Sequence, residues 1–163
     1  MEELKKKFSK IYDEHIVGIY RFCYLKVSSQ DLAEDLSSEV FLRFWKKLSV
    51  SNIDNYRAFL YGVARNVIAD HYRKRHIPTV SLERNVLDIA EDSDFADTLA
   101  VSSDMEQVRK ALAELNDEYQ NLVIWRYLDE LSISEIAQIE GKSEEGVRVG
   151  LHRALKQLRG RLQ

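Results

Sequence analysis

The sequence predicts an all-α protein: two small helical domains joined by an acidic linker, the C-terminal domain containing a helix-turn-helix. Three observations carry that expectation. Among 163 residues there are only 6 Gly and 1 Pro, too few for the many turns of a β-sandwich or barrel. Apolar residues recur at helical spacing over two blocks, about 3–76 and 104–162. Between them, residues 77–103 have a weak pattern and a net charge of −5. Such a stretch is long for a loop inside one compact domain. The expected organisation is an N-terminal domain 1–76, a linker 77–103 and a C-terminal domain 104–163.

In the first block, LKKKFSKIYDEHIVGIYRFCYLKV places Phe8, Ile11, Tyr12, Ile16, Ile19, Tyr20 and Cys23 at helical spacing. Ser28-Ser29-Gln30-Asp31 reads as a turn and a helix start. The next helix, DLAEDLSSEVFLRFWKKL, gathers Leu32, Leu36, Val40, Phe41, Phe44, Trp45 and Leu48 on one side. Ser49 to Asn55 reads as a polar loop ending in an N-cap at Asp54 or Asn55. A long helix, YRAFLYGVARNVIADHYRKRH, follows. Pro78 forbids its easy continuation, because proline lacks the N–H and restrains the residue before it. The linker VSLERNVLDIAEDSDFADTLAVSSD reads as mostly extended, with room for a short helical turn.

The second block opens with MEQVRKALAEL, amphipathic through Val108, Leu112 and Leu115. Asn116-Asp117 is a cap signal, and Tyr119 to Tyr127 reads as one helix burying Leu122, Val123 and Trp125. Ser132 and Glu135 make a capping box for a short helix whose Ile133, Ile136 and Ala137 face inward. Gly141 ends it, as a residue able to take positive φ. Ser143 caps a last helix with Val147, Leu151, Leu155 and Leu158 at i, i+4, i+8 and i+11. Its other face carries Arg148, His152, Lys156 and Arg159 at the same spacing.

The overall charge of −3 looks wrong for a nucleic-acid binder, but it is unevenly spread. Residues 1–76 sum to +4, 77–103 to −5 and 104–163 to −2. Two stretches are locally basic, 60–76 and 142–163, and local charge decides where a polyanion docks. A helix, tight turn and basic second helix can enter a major groove while its cations neutralise phosphates. The same pattern also fits an amphipathic helix with a solvated charged face. The long helix of block one, with Arg65, Asn66, Asp70 and Arg73 on one face and Tyr72, Arg73, Lys74 and Arg75 at its end, suits a single strand. It equally suits a solvated face whose cations complement the helix dipole. Asp31, Glu34, Asp35 and Glu39 at the start of the second helix, followed by aromatics, read either as dipole-favoured acids over a core or as a protein-docking face.

Several function classes are disfavoured. No run approaches the roughly 18 apolar residues of a membrane span, and MEELKKKFSK lacks the apolar segment of a secretory signal. The one cysteine, Cys23, cannot form an internal disulfide. These features predict a cytoplasmic protein without membrane insertion. His15, Cys23, His71 and His76 are scattered without metal-ligand spacing, and there is no glycine-rich phosphate loop. We therefore expect no enzyme, no metal and no cofactor. The classes left open are a DNA-binding transcription protein, a stand-alone helix-turn-helix regulator binding operator DNA, and a helical adaptor for acidic partners.

Taken in order, DLAEDLSSEVFLRFWKKL, RAFLYGVARNVIADHYRKR and ALAELNDEYQNLVIWRYLDELSISEIAQIEGKSEEGVRVGLHRALKQLRGRL resemble a bacterial RNA polymerase sigma factor of the small, two-domain extracytoplasmic-function (ECF) type. The resemblance covers nearly the whole chain and leaves the linker unmatched. It implies a transcription initiation factor that brings core RNA polymerase to specific promoters. The acidic helix would dock on the clamp helices of the polymerase largest subunit through Leu32, Asp35, Phe41 and Leu42. The long helix would hold the minus-ten element through Asn66, Asp70, Arg73 and Lys74. Asn52 would sit in the loop that captures a flipped base; flipping costs a few kcal/mol that a pocket and phosphate clamp must offset. The helix-turn-helix would read the minus-thirty-five element through Lys142, Arg148, His152, Arg153 and Lys156. An anti-sigma partner is implied as well.

Two departures accompany the resemblance. Gly146 and Gly150 stand where such sigma factors carry Thr-type and Arg/Lys-type residues. Each costs about 1 kcal/mol of helix stability relative to Ala and is expected to remove a DNA contact. Glu144 and Glu145 could accept a hydrogen bond from a cytosine amine or complement the dipole. The paired tryptophans of housekeeping sigma factors are absent from the long helix.

Overall fold

A computed structural model describes residues 1–75 and 103–162. All regular structure among them is helical, in the order α1 (Glu2–Val27), α2 (Gln30–Val50), α3 (Tyr56–Arg75), α4 (Ser103–Ala113), α5 (Asp117–Val123), a π-turn (Ile124–Leu128), α6 (Ile133–Glu140) and α7 (Glu144–Leu162). The chain divides into two compact units, Met1–Leu99 and Ala100–Gln163. The segment read as a linker lies outside the described residues except for Ser103, which opens α4. Pro78 lies outside them too.

In the first unit α1, α2 and α3 pack on one another around Ile19, Phe22, Cys23, Val27, Val40, Phe44, Leu60 and Ala64. The turn between α1 and α2 is local chemistry. Ser28 takes a left-handed conformation (φ 54°) and its N–H closes on the Tyr24 carbonyl at 2.8 Å. Ser29 then accepts from the Leu32 N–H at 3.2 Å as N-cap. Of the two capping candidates for α3, Asn55 serves: its Oδ1 accepts from the Ala58 N–H at 2.9 Å. The Tyr72 hydroxyl donates to the Lys26 carbonyl at 3.0 Å, fastening the end of α3 to the end of α1.

Two expectations are corrected here. Phe41, expected on the polymerase-docking surface, is only 3 % exposed. Its ring meets Tyr12 at 4.7 Å, Phe44 at 6.3 Å and Phe8 at 6.4 Å, all edge-on. It is a core residue, on the apolar side of α2 that the spacing marks, and the rings of α1 cover it. Second, α2 runs on through Ser49 and Val50. The Ser49 hydroxyl donates back to the Trp45 carbonyl at 2.8 Å, a bond compatible with a helical backbone. The loop to α3 is therefore shorter than the polar composition suggested.

The second unit packs α7 against α4, α5 and α6, with Leu112, Leu122, Ile124, Trp125, Leu131, Ile136, Val147, Leu151 and Ala154 buried. Asn116 caps α5 by accepting from the Tyr119 N–H at 2.8 Å. Gln120 donates to the Leu112 and Leu115 carbonyls at 2.9 and 3.0 Å, satisfying the open end of α4. The helix expected over Tyr119 to Tyr127 departs from α-geometry after Val123. Its hydrogen bonds lengthen to the π pattern, and the Asp129 N–H reaches the Ile124 carbonyl at 3.0 Å. Trp125 is fully buried by this widened turn, and Tyr127 is 52 % exposed.

Candidate functional site

The first candidate surface lies on α2. Asp35 is exposed, Leu42 is 48 % exposed and Leu32 is half-buried. Asp35 and Leu42, seven residues apart, share one helical face. Beside them, Tyr12, Ile16, Tyr20, Glu34, Ser37 and Ser38 line a cleft of about 180 Å³ between α1 and α2. Burial there, reinforced by the Glu34 carboxylate, keeps the Tyr20 phenol protonated well above its ordinary range.

The second surface is the outer face of α3. Asn66, Arg73 and Lys74 are exposed and Asp70 is half-exposed. Their spacing brings all four together, opposite the buried Leu60, Ala64 and Ile68. Asp70 is not an isolated carboxylate. It pairs with Arg73 on its own helix and lies 3.8 Å from Arg43 of α2, which also donates to Glu39 at 2.8 Å. Arg43 is thus a further cation beside this face that the sequence reading missed; only the α2–α3 contact reveals it. Tyr72, at the end of this helix, is half-buried and its hydroxyl holds α1 as described above. Asn52 stands exposed in the loop between α2 and α3.

The third surface is α6, its turn and α7. Ser132 and Glu135 form the complete capping box, with the Glu135 N–H to Ser132 Oγ at 3.0 Å and the Ser132 N–H to Glu135 Oε1 at 2.9 Å. Gly141 takes φ 65°, the left-handed conformation that ends α6. Ser143 accepts from the Gly146 N–H at 3.0 Å to start α7. Lys142, Arg148, His152, Arg153 and Lys156 are all exposed. Two of them already have anionic neighbours: Lys142 pairs with Glu118 of α5, and Arg148 lies 3.3 Å from Glu144. Exposed pairs of this kind contribute about 0–1 kcal/mol, so a phosphate can compete for either cation.

Gly150 has a role inside the unit that spacing does not show. A Cβ there would come within 2.8 Å of Leu122 Cδ1. Its missing side chain therefore eases a close approach between α7 and α5. Gly146 is exposed, with the Ser143 hydroxyl 3.3 Å from a Cβ placed there.

Residues 11–76 match Sigma-70 region 2 and residues 105–158 match Sigma-70 region 4. Among curated proteins, the ECF RNA polymerase sigma factor SigL of Mycobacterium tuberculosis is 30 % identical over 155 residues, covering 94 % of this chain and 87 % of SigL. The chain belongs to the ECF family of RNA polymerase sigma factors. The ECF sigma factor BldN of Streptomyces coelicolor is also 30 % identical, over 93 % of this chain, which spans 58 % of BldN's length. The fold is that of the sigma factor RpoE from Bartonella quintana, solved with the anti-sigma factor NepR, at a TM-score of 0.72 and 21 % identity over 99 % of this chain and 98 % of that one.

As an ECF sigma factor the chain is a transcription initiation factor, and the reading as a stand-alone regulator is not favoured. Sigma factors are in general non-enzymatic. Among the described residues no helix is long and apolar enough to cross a membrane.

Proposed function

We propose that this sigma factor divides its work along the boundaries 1–76, 77–103 and 104–163. The N-terminal domain docks on the clamp helices of the polymerase largest subunit through Leu32, Asp35 and Leu42, and holds the opened minus-ten element on α3. Asn66, Asp70, Arg73 and Lys74 line the strand, and Asn52 faces the flipped base. The C-terminal domain sets α7 in the major groove of the minus-thirty-five element, with Lys142, Arg148, His152, Arg153 and Lys156 on phosphates and bases. The protein works in the cytoplasm, catalyses no reaction itself, and is held inactive by an anti-sigma factor, as the RpoE–NepR pair suggests.

The observation that carries this reading is the full or partial exposure of these side chains on segments matched, in order, to sigma regions 2 and 4. The net charge of −3 accords with weak DNA binding by the free protein. Tethering on polymerase raises the effective concentration of the second contact, and the acidic linker suppresses stray binding. Co-purification with core polymerase tests the docking face. Charge reversal Asp35→Arg combined with Leu42→Asp should abolish recovery of the complex while leaving the helical circular dichroism unchanged. Undiminished recovery would place the docking face elsewhere.

A further inference from the structure

The outward face of α7 carries an apolar residue that phosphate binding does not use. Val147, Leu151, Ala154 and Leu158 are buried. At 3.6 residues per turn, the line farthest from that buried stripe runs through Glu145, Val149 and Lys156. Val149 is 40 % exposed at the centre of this line, among charged neighbours. Glu145, Lys156 and Arg153 are exposed around it. Helical side chains lean toward the preceding turn, and there Gly146 has no side chain to cover the valine. A stiff, β-branched apolar group therefore stands 40 % exposed on the outermost line of α7.

We propose that Val149 is a specificity-determining residue, reading the C5-methyl of a thymine in the minus-thirty-five element. In the major groove the thymine methyl is the one apolar group that a base edge offers; the other positions present donors and acceptors. A valine set against those would desolvate them without a partner, so the apolar contact selects thymine over the other bases. This inference rests on the reading of α7 as the helix that enters that element. Phosphate contacts by Arg153 and Lys156 would position the helix without carrying sequence information.

The test uses holoenzyme reconstituted from core RNA polymerase and the full chain. Preferred sequences are selected from a duplex library randomised over both promoter elements. Each thymine of the selected upstream element is then replaced by deoxyuridine, which removes only the methyl. At one position the replacement should weaken binding of the wild-type holoenzyme about fourfold, the equivalent of one buried methyl. The Val149→Ala holoenzyme, whose shorter side chain gives up most of that contact, should discriminate between the thymine and deoxyuridine duplexes less than the wild type does. Because Val149 is exposed and Ala is the better helix former, the variant keeps its fold. If no thymine distinguishes the two proteins in this way, the assignment of Val149 is overturned. If no upstream sequence is enriched at all, the reading of α7 as a duplex reader fails and the inference falls with it.

Discussion

Substituting Gly150 by alanine sets two opposed effects against each other within one residue. Helix propensity alone favours the change by about 1 kcal/mol. The packing opposes it: the new Cβ would sit 2.8 Å from Leu122 Cδ1, where carbon atoms prefer about 3.5–4.0 Å. Cδ1 is the end of a flexible side chain, but Leu122 is 2 % exposed, so a shift of that methyl is taken up within the core. Overpacking of this kind costs about 1–3 kcal/mol, and the net expectation is a loss of about 1 kcal/mol. Gly62 is the control, since nothing lies within 4 Å of a Cβ placed there in the middle of α3; Gly62→Ala should gain about 1 kcal/mol. The chain has two tryptophans, one in each unit. In a Trp45→Phe background, the fluorescence of the buried Trp125 reports urea unfolding of the second unit alone. In a Trp125→Phe background, Trp45 reports the first. A Gly150→Ala midpoint shifted upward as much as that of Gly62→Ala would refute the packing reasoning.

Three further outcomes are expected. Asn55→Ala removes the α3 cap and should cost about 1 kcal/mol in urea titrations followed by Trp45. Burial pushes the Cys23 thiol up to about 12, so at pH 8 a thiol reagent should modify the native protein about a thousandfold more slowly than the urea-unfolded chain. The Arg109 guanidinium, bonded at 3.0 and 3.1 Å, holds the Glu106 carboxyl below its ordinary range. That contribution is complete above the unfolded carboxylate value and is lost as pH falls through the lower folded one. Glu106→Gln should therefore reduce the acid sensitivity of the second unit, measured as the pH dependence of the Trp125 midpoint.

The residue pattern discloses the features whose causes are local. The caps at Asn55, Asn116 and Ser132–Glu135 and the stop at Gly141 each depend on a few neighbouring residues, and so they can be read from spacing. The basic face of α7 is legible for the same reason. Phe41 is legible only in part: spacing puts it on the apolar side of α2, while the rings that bury it come from α1. Gly150 is not legible, because its close neighbour is a leucine of α5. The Glu118–Lys142 and Arg43–Asp70 pairs join residues far apart in sequence, and no periodicity marks them. The π-turn over Ile124–Leu128 likewise has no mark in the spacing, which reads as one continuous helix there. Spacing thus marks caps and helix faces but not the neighbours that engage them.

Run-off transcription tests the central claim most directly. Core RNA polymerase, a promoter template and this chain should together yield a transcript of fixed length that appears only when all three are present. Absence of that transcript on every template selected by the reconstituted holoenzyme, or equal initiation by core enzyme alone, would contradict it.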